Sequence, residues 1–232
     1  MTPNTLALRV RASPSAFSRS KEICMSVLVI ANPKGGVGKS TLATNVAGYF
    51  ASQGRAVMLG DADRQQSSRL WLGLRPPAAR PIATWELSAD QIAKPPKGVS
   101  HVVLDTPAGL HGWRFNDVLK VADKIIVPLQ PSVFDIFATR AFLDQLAGHR
   151  HGGKAEVGIV GMRVDARTIA ADNLREFVEG LGLPVLGYLR DTQNYIHLAA
   201  RGLTLFDVAP SRVEKDLDQW QGICQWLDTK AK

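Results

Sequence analysis

From Met25 onward, short and continuously apolar runs alternate with longer stretches in which apolar residues recur every three or four positions. The runs Val27–Ile30, Arg55–Asp61, His101–Asp105, Lys124–Leu129, Val157–Met162 and Pro184–Leu189 are too short for helices and show no polar alternation, which predicts strands covered on both faces. Ile82–Leu87 reads as an edge strand. Between them, Leu42, Val46 and Phe50, with Ala43 and Ala47 alongside, mark one face of a helix. Further helices are expected over Gln66–Leu72, Phe134–Ala147, Thr168–Leu181, Asn194–Arg201 and Ser211–Asp228. In the second of these the expected buried side is Ile136, Phe137, Ala141, Phe142 and Leu146. Strands and helices in alternation predict an α/β fold, a mainly parallel twisted sheet with helices on both faces, over residues 25–232. Such sheets bind ligands at the carboxyl ends of their strands.

Residues 1–24 break the pattern, being rich in Ser, Arg, Thr and Pro without periodicity. They read as a disordered tail, or as an upstream start assigned in error, since Met25-Ser26 directly precedes the first strand. Arg9, Arg11, Arg19 and Lys21 against Glu22 put +3 of the net +7 there, and the remaining +4 is mildly basic. That balance suits a polyanionic partner without requiring one. No apolar run approaches the ~20 residues that cross a bilayer. Cys24 and Cys224 lack metal-ligand spacing and fit a reducing cytoplasm.

The chemistry concentrates where the first strand meets the first helix, in Ala31-Asn32-Pro33-Lys34-Gly35-Gly36-Val37-Gly38-Lys39-Ser40-Thr41. Glycines let backbone amides converge on an anion, and the helix N-terminus adds partial positive charge. Lys39 would reach the β- and γ-phosphates of a nucleotide, and the Ser40 hydroxyl would ligate Mg²⁺. Asp61 and Asp105 end the second and third strands, and Asp63 follows on the next segment. An outer-shell acid on the metal and a second acid that places an attacking water complete the parts for phosphoryl transfer. Asp61 and Asp105 are assigned to the metal and Asp63 to the water. An Asp at a strand end is by itself as easily a helix cap; the order of all three parts favours a nucleotide site. One departure is informative: Pro33 stands where the general phosphate loop has glycine, and a second lysine, Lys34, follows it.

These residues resemble the ParA/MinD family of deviant phosphate-loop ATPases, most closely small ParA proteins without an N-terminal DNA-reading domain, over about residues 26–228. Its motif K-G-G-x-G-K-[ST]-T stands as Lys34 to Thr41, and D-x-D-P-Q as Asp61-Ala62-Asp63-Arg64-Gln65, with Arg64 in place of proline. D-x-P-[AP]-G stands as Asp105 to Gly109, and Val127 to Ser132 with Asp135 match the fourth strand and its turn. The resemblance implies a phosphate-loop NTPase fold, with ATP and Mg²⁺ held by Gly35, Gly36, Val37, Gly38, Lys39, Ser40 and Thr41. Arg163 and Asp165 are implied at the adenine, although the base-reading Asn of some relatives is replaced here by Met162. It also implies a homodimer formed on ATP binding, in which each Lys34 reaches the partner's nucleotide. A ParB-like or adaptor protein would stimulate slow hydrolysis, and repeated cycles on nucleoid DNA would segregate or position a cargo.

Relatives of the MinD type instead cycle on membranes through a basic amphipathic C-terminal helix. Here Val213, Leu217, Trp220, Cys224 and Leu227 form an apolar stripe, but Glu214, Asp216, Asp218 and Asp228 make the polar positions acidic, which anionic lipid repels. No membrane partner is therefore expected. Arg190, Arg201 and Arg212 are the candidates for non-specific DNA contact. A metabolic enzyme on the same scaffold, an amide-forming ligase or a cysteine-ligated cluster reductase, has no need of Lys34 or lacks its cysteines.

Overall fold

The computed structural model describes residues 25–87, 98–110, 112–149, 151 and 154–230. Seven strands form one parallel sheet in the order β3-β2-β4-β1-β5-β6-β7. They are β1 (Ser26–Ile30), β2 (Val57–Asp61), β3 (Ala83–Trp85), β4 (His101–Asp105), β5 (Lys124–Leu129), β6 (Glu156–Gly161) and β7 (Val185–Tyr188). The helices are α1 (Lys39–Ser52), α2 (Ser67–Leu74), α3 (Gly112–Val121), α4 (Val133–Gly148), α5 (Ile169–Glu179), α6 (Gln193–Ala199) and α7 (Glu214–Asp228). The parallel α/β architecture expected from the pattern, and the phosphate-loop fold that the resemblance implies, are observed. Helix α3 has no counterpart in the sequence reading. Its inward residues Phe115, Val118 and Leu119 lie among Asn, Asp and Lys, which blurs the apolar spacing.

Alternation along each strand sorts the apolar residues into two layers. Leu28, Ile30, Leu59, Val103 and Ile126 pack under α1 and α7, whose Leu42, Val46, Phe50, Trp220, Ile223 and Leu227 are buried with them. Val27, Val29, Val102, Leu104, Ile125 and Val127 pack under α3, α4 and α5. The apolar stripe of α7 is thus core, lying against β7, and Trp220 is fully buried with its indole N–H donating to the Tyr195 hydroxyl at 2.9 Å.

Two readings of side-chain direction are corrected. Phe137 and Ala141, expected inward on α4, point outward, and the buried side is Thr139, Phe142, Leu143 and Leu146. Spacing along α4 does not by itself tell which of its aromatics faces the sheet, and the helix turns Phe137 to solvent. Asp216, expected on an acidic outer face of α7, is fully buried, receiving Arg190 Nε at 2.6 Å and Asn194 Nδ2 at 2.5 Å. Asp228 is exposed as expected, and accepts from Tyr49 Oη and Arg55 Nη2 at 2.7 Å each.

The register carries the strand ends to one edge. Ile30 of β1 lies opposite Asp105 of β4, and Asp105 lies opposite Asp61 of β2. The loop 31–38 leaves β1 at that same edge, so topology alone gathers the glycine loop and both acids. The tail 1–24 lies outside the described residues.

Candidate nucleotide site

Helix α1 begins without a cap. Its N-cap, Gly38, has no side chain to occupy the first-turn amides, and no acid stands in that turn. The first turn of a helix otherwise needs partners for its free N–H groups, and here they stay open to an incoming anion. Gly38 sits at φ +95°, a left-handed conformation that only glycine adopts without strain. A Cβ there would also lie 2.7 Å from Cε of Met162, which fills the space beneath the loop.

The loop is fixed from three sides. Asn32, fully buried, donates through Nδ2 to the Pro128 carbonyl at 2.8 Å and to Thr139 Oγ1 at 3.0 Å, and its Oδ1 accepts from Lys34 N at 2.8 Å. Gln130 Nε2 donates to the Gly36 carbonyl at 2.9 Å, and Gly109 N donates to the Pro33 carbonyl at 2.8 Å. Lys39 Nζ folds back onto the Lys34 carbonyl at 2.6 Å. Burial lowers its pKa, while Asp105 and Asp63 pull it upward. The Lys34 side chain, half-buried, has no hydrogen-bond or ion-pair partner among the described residues. Asn32, Gln130 and Thr139 were not singled out from sequence. A polar residue directly after an apolar strand was the available signal for Asn32; nothing local marks Thr139, which is 107 residues away.

The three acids are placed differently. Asp105 is almost completely buried; its Oδ2 accepts from Ser68 Oγ at 2.6 Å, while Oδ1 is buried without a partner. Burial pushes its carboxyl up to about 6, against the hydrogen bond from Ser68 and the nearby Ser40 hydroxyl, which favour the charged form. An orphaned carboxylate oxygen beside a serine hydroxyl is the donor set a hard divalent cation such as Mg²⁺ takes up. Asp61 accepts from Ser68 N at 2.8 Å, Arg69 N at 3.2 Å and Asp63 N at 2.9 Å. Both its oxygens are therefore engaged in capping α2 and holding the turn beyond β2. Asp63 stands on that turn, half-buried, and lines a cleft of about 620 Å³ with Arg64, Gln65, Pro107, Gly109 and Arg114.

Farther out, Arg163 (φ +53°) and Asp165 are exposed on the turn after β6, where Asp165 is held by Arg167 at 2.9 Å. Arg201 and Arg212 are exposed and unpaired among the described residues, whereas Arg190 is tied to Asp216. No helix among the described residues is long and apolar enough to cross a membrane.

Comparison with known proteins bears on the fold and the family of the chain. A carboxysome distribution protein A from Gloeobacter kilaueensis is 27% identical over 217 residues, covering 87% of this chain and 94% of its own. The chromosome-partitioning ATPase Soj of Thermus thermophilus is 29% identical over 182 residues, covering 63% of this chain and 73% of its own. The ATP complex of an aspartate-to-alanine variant of McdA from Cyanothece superposes with a TM-score of 0.69 at 18% identity, covering 89% of this chain and 97% of that one, a likeness of fold. The CobQ/CobB/MinD/ParA nucleotide binding domain matches residues 28–205, and with the uncapped glycine loop and its two lysines at the head of α1, the chain belongs to that family.

Proposed function

We propose that this protein is an ATP-dependent dimerising switch that binds DNA without sequence preference and segregates or positions a cargo in the bacterial cytoplasm, on the nucleoid. The observation that carries the reading is the pair of lysines on one loop. Lys39 is turned inward onto the loop that would hold its own nucleotide. Lys34 has its backbone fixed by Asn32 while its side chain is unspent, as a group reaching a second subunit must be. The names of the relatives, carboxysome distribution and chromosome partitioning, support the positioning or partition part.

In this reading the amides of Gly35 to Thr41 bind the phosphates, and Ser40 and Asp105 hold Mg²⁺, Asp61 acting behind them by fixing Ser68 and the turn. A metal held there would supply positive charge against the phosphates. Lys39 orients the γ-phosphate, and Asp63, facing the cleft, holds the attacking water. Arg163 and Asp165 border the adenine side. A ParB-like or adaptor protein accelerates slow hydrolysis and releases the dimer from DNA. A MinD-like membrane cycle is the second reading; it is disfavoured because the apolar stripe of α7 is spent on the core.

DNA retention is measured with ATP, ADP or no nucleotide, on the wild type and on Lys34→Ala and Asp63→Ala. Binding is expected only with ATP, lost in the lysine variant and prolonged in the aspartate variant. Equal retention in ADP and ATP sinks the switch. Vesicle binding in place of DNA binding favours the membrane cycle.

A further inference from the structure

The first two turns of α4 and the start of α5 carry large apolar side chains that the fold leaves bare. Phe134 is 77% exposed, Phe137 68%, Val133 55% and Ile169 80%. Beside them a groove of about 380 Å³ opens between the two helices, lined by Val133, Ile136, Asn173, Glu176 and Phe177. Scattered exposed apolar residues are ordinary; a group gathered at one edge of a sheet marks a contact surface.

The edge is that of the nucleotide loop. Val133 and Ile169 begin the helices that follow the carboxyl ends of β5 and β6, and the glycine loop follows the carboxyl end of the neighbouring strand β1. The junction is direct: Gln130, three residues before Val133, donates to the Gly36 carbonyl of the loop. On the buried side of the same helix, Thr139 receives Asn32, which holds Lys34. The loop that carries Lys34 and the start of α4 are thus tied together at one edge of the sheet.

We infer that Phe134, Phe137 and Ile169 form the apolar part of the ATP-dependent contact between two copies of this chain. The inference rests on the two-subunit reading above and extends it from one lysine to a surface. A stable interface takes about 800 Å² from each partner, with an apolar centre and a polar rim. A glycine loop and a lysine supply rim chemistry and little apolar area; the bare ends of α4 and α5 supply the missing part. In the separate subunit these side chains face water, and the ATP-bound pair covers them.

The test is sedimentation of the full chain across a concentration series, with a non-hydrolysable ATP analogue and Mg²⁺. The variants are Phe134→Ser/Phe137→Ser, the conservative Phe134→Leu/Phe137→Leu, and Leu74→Ser. Leu74 is 57% exposed at the far end of α2 and serves as a control for general loss of apolar surface. The serine pair is expected to weaken dimerisation at least tenfold while binding a fluorescent ATP analogue within about twofold of wild type. The leucine pair and Leu74→Ser should dimerise within about threefold of wild type. Wild-type dimerisation in the serine pair overturns the inference and leaves the two-subunit reading standing. So does an equal loss in Leu74→Ser, or loss of analogue binding in step with dimerisation. A wild type that stays monomeric with the analogue at every concentration overturns both.

Discussion

At the scale of single residues, the site depends on groups whose hydrogen bonds have no water to replace them. Asn32 has no exposed surface and makes three bonds, so truncation leaves Lys34 N, the Pro128 carbonyl and Thr139 without it. An abandoned buried polar group costs about 1–3 kcal/mol. Asn32→Ala should therefore lose about 2–4 kcal/mol in chemical denaturation, within the range those groups allow. Because it frees the backbone of Lys34, DNA retention with ATP should fall more steeply than ATP affinity. Equal losses in both would make Asn32 a packing residue only. Far from the site, at the start of β4, burial and the neighbouring Arg55 hold His101 down at about 4. The unfolded chain binds that proton at about pH 6.5. Stability is thus complete above about 6.5 and declines as pH falls toward 4, by about 1–3 kcal/mol. Asp228 and Lys124 act on the same ring in opposite senses. His101→Gln should flatten the decline in denaturation midpoint between pH 7 and 4.5; an unchanged slope assigns the acid sensitivity elsewhere.

At the scale of elements, every strand except the exposed edge β3 was legible as a closed apolar run, and the glycine loop was legible because its chemistry is local. Side-chain direction was less so. Phe137 and Phe142 are equally aromatic and five residues apart on α4, and only the position of the sheet decides which is core. Helix α7 was legible as an amphipathic stripe, but its clamp was not. Lys124 opens β5 as a buried charge in an apolar run, which the sequence alone makes anomalous. Its Nζ donates to Trp226 O at 2.6 Å, Thr229 O at 2.7 Å and Thr229 Oγ1 at 2.8 Å, and lies 4.6 Å from the Trp226 ring. A cation at a helix C-terminus satisfies carbonyls that would otherwise lack donors. Lys124→Met keeps the volume and removes the donors, so a loss of about 2–3 kcal/mol is expected, with amide exchange accelerating first in the last turn of α7. Uniform acceleration across the sheet would contradict a local clamp.

At the scale of the whole molecule, the question is which charges meet DNA. Composition offered several arginines of equal standing, and only the fold separates them. Arg190 shares its guanidinium with Asp216, which is fully buried, so its removal strands a carboxylate without its cation. Breaking a buried pair in this way costs about 3–5 kcal/mol, less here because Arg190 itself is 39% exposed. Arg201 and Arg212 carry no such duty. Each phosphate contact contributes close to one unit to the slope of log affinity against log salt. For a dimer with ATP, Arg201→Ala should lower that slope by about two, one contact per subunit, with the denaturation midpoint unchanged. Arg212→Ala should behave alike. Arg190→Ala should instead lower the midpoint and weaken DNA binding through loss of folded protein, the slope of the surviving fraction staying near wild type. If Arg190→Ala flattens the slope while Arg201→Ala and Arg212→Ala leave it alone, the DNA-facing surface lies on the β7 side of α7, and the ion pair with Asp216 positions a contact residue.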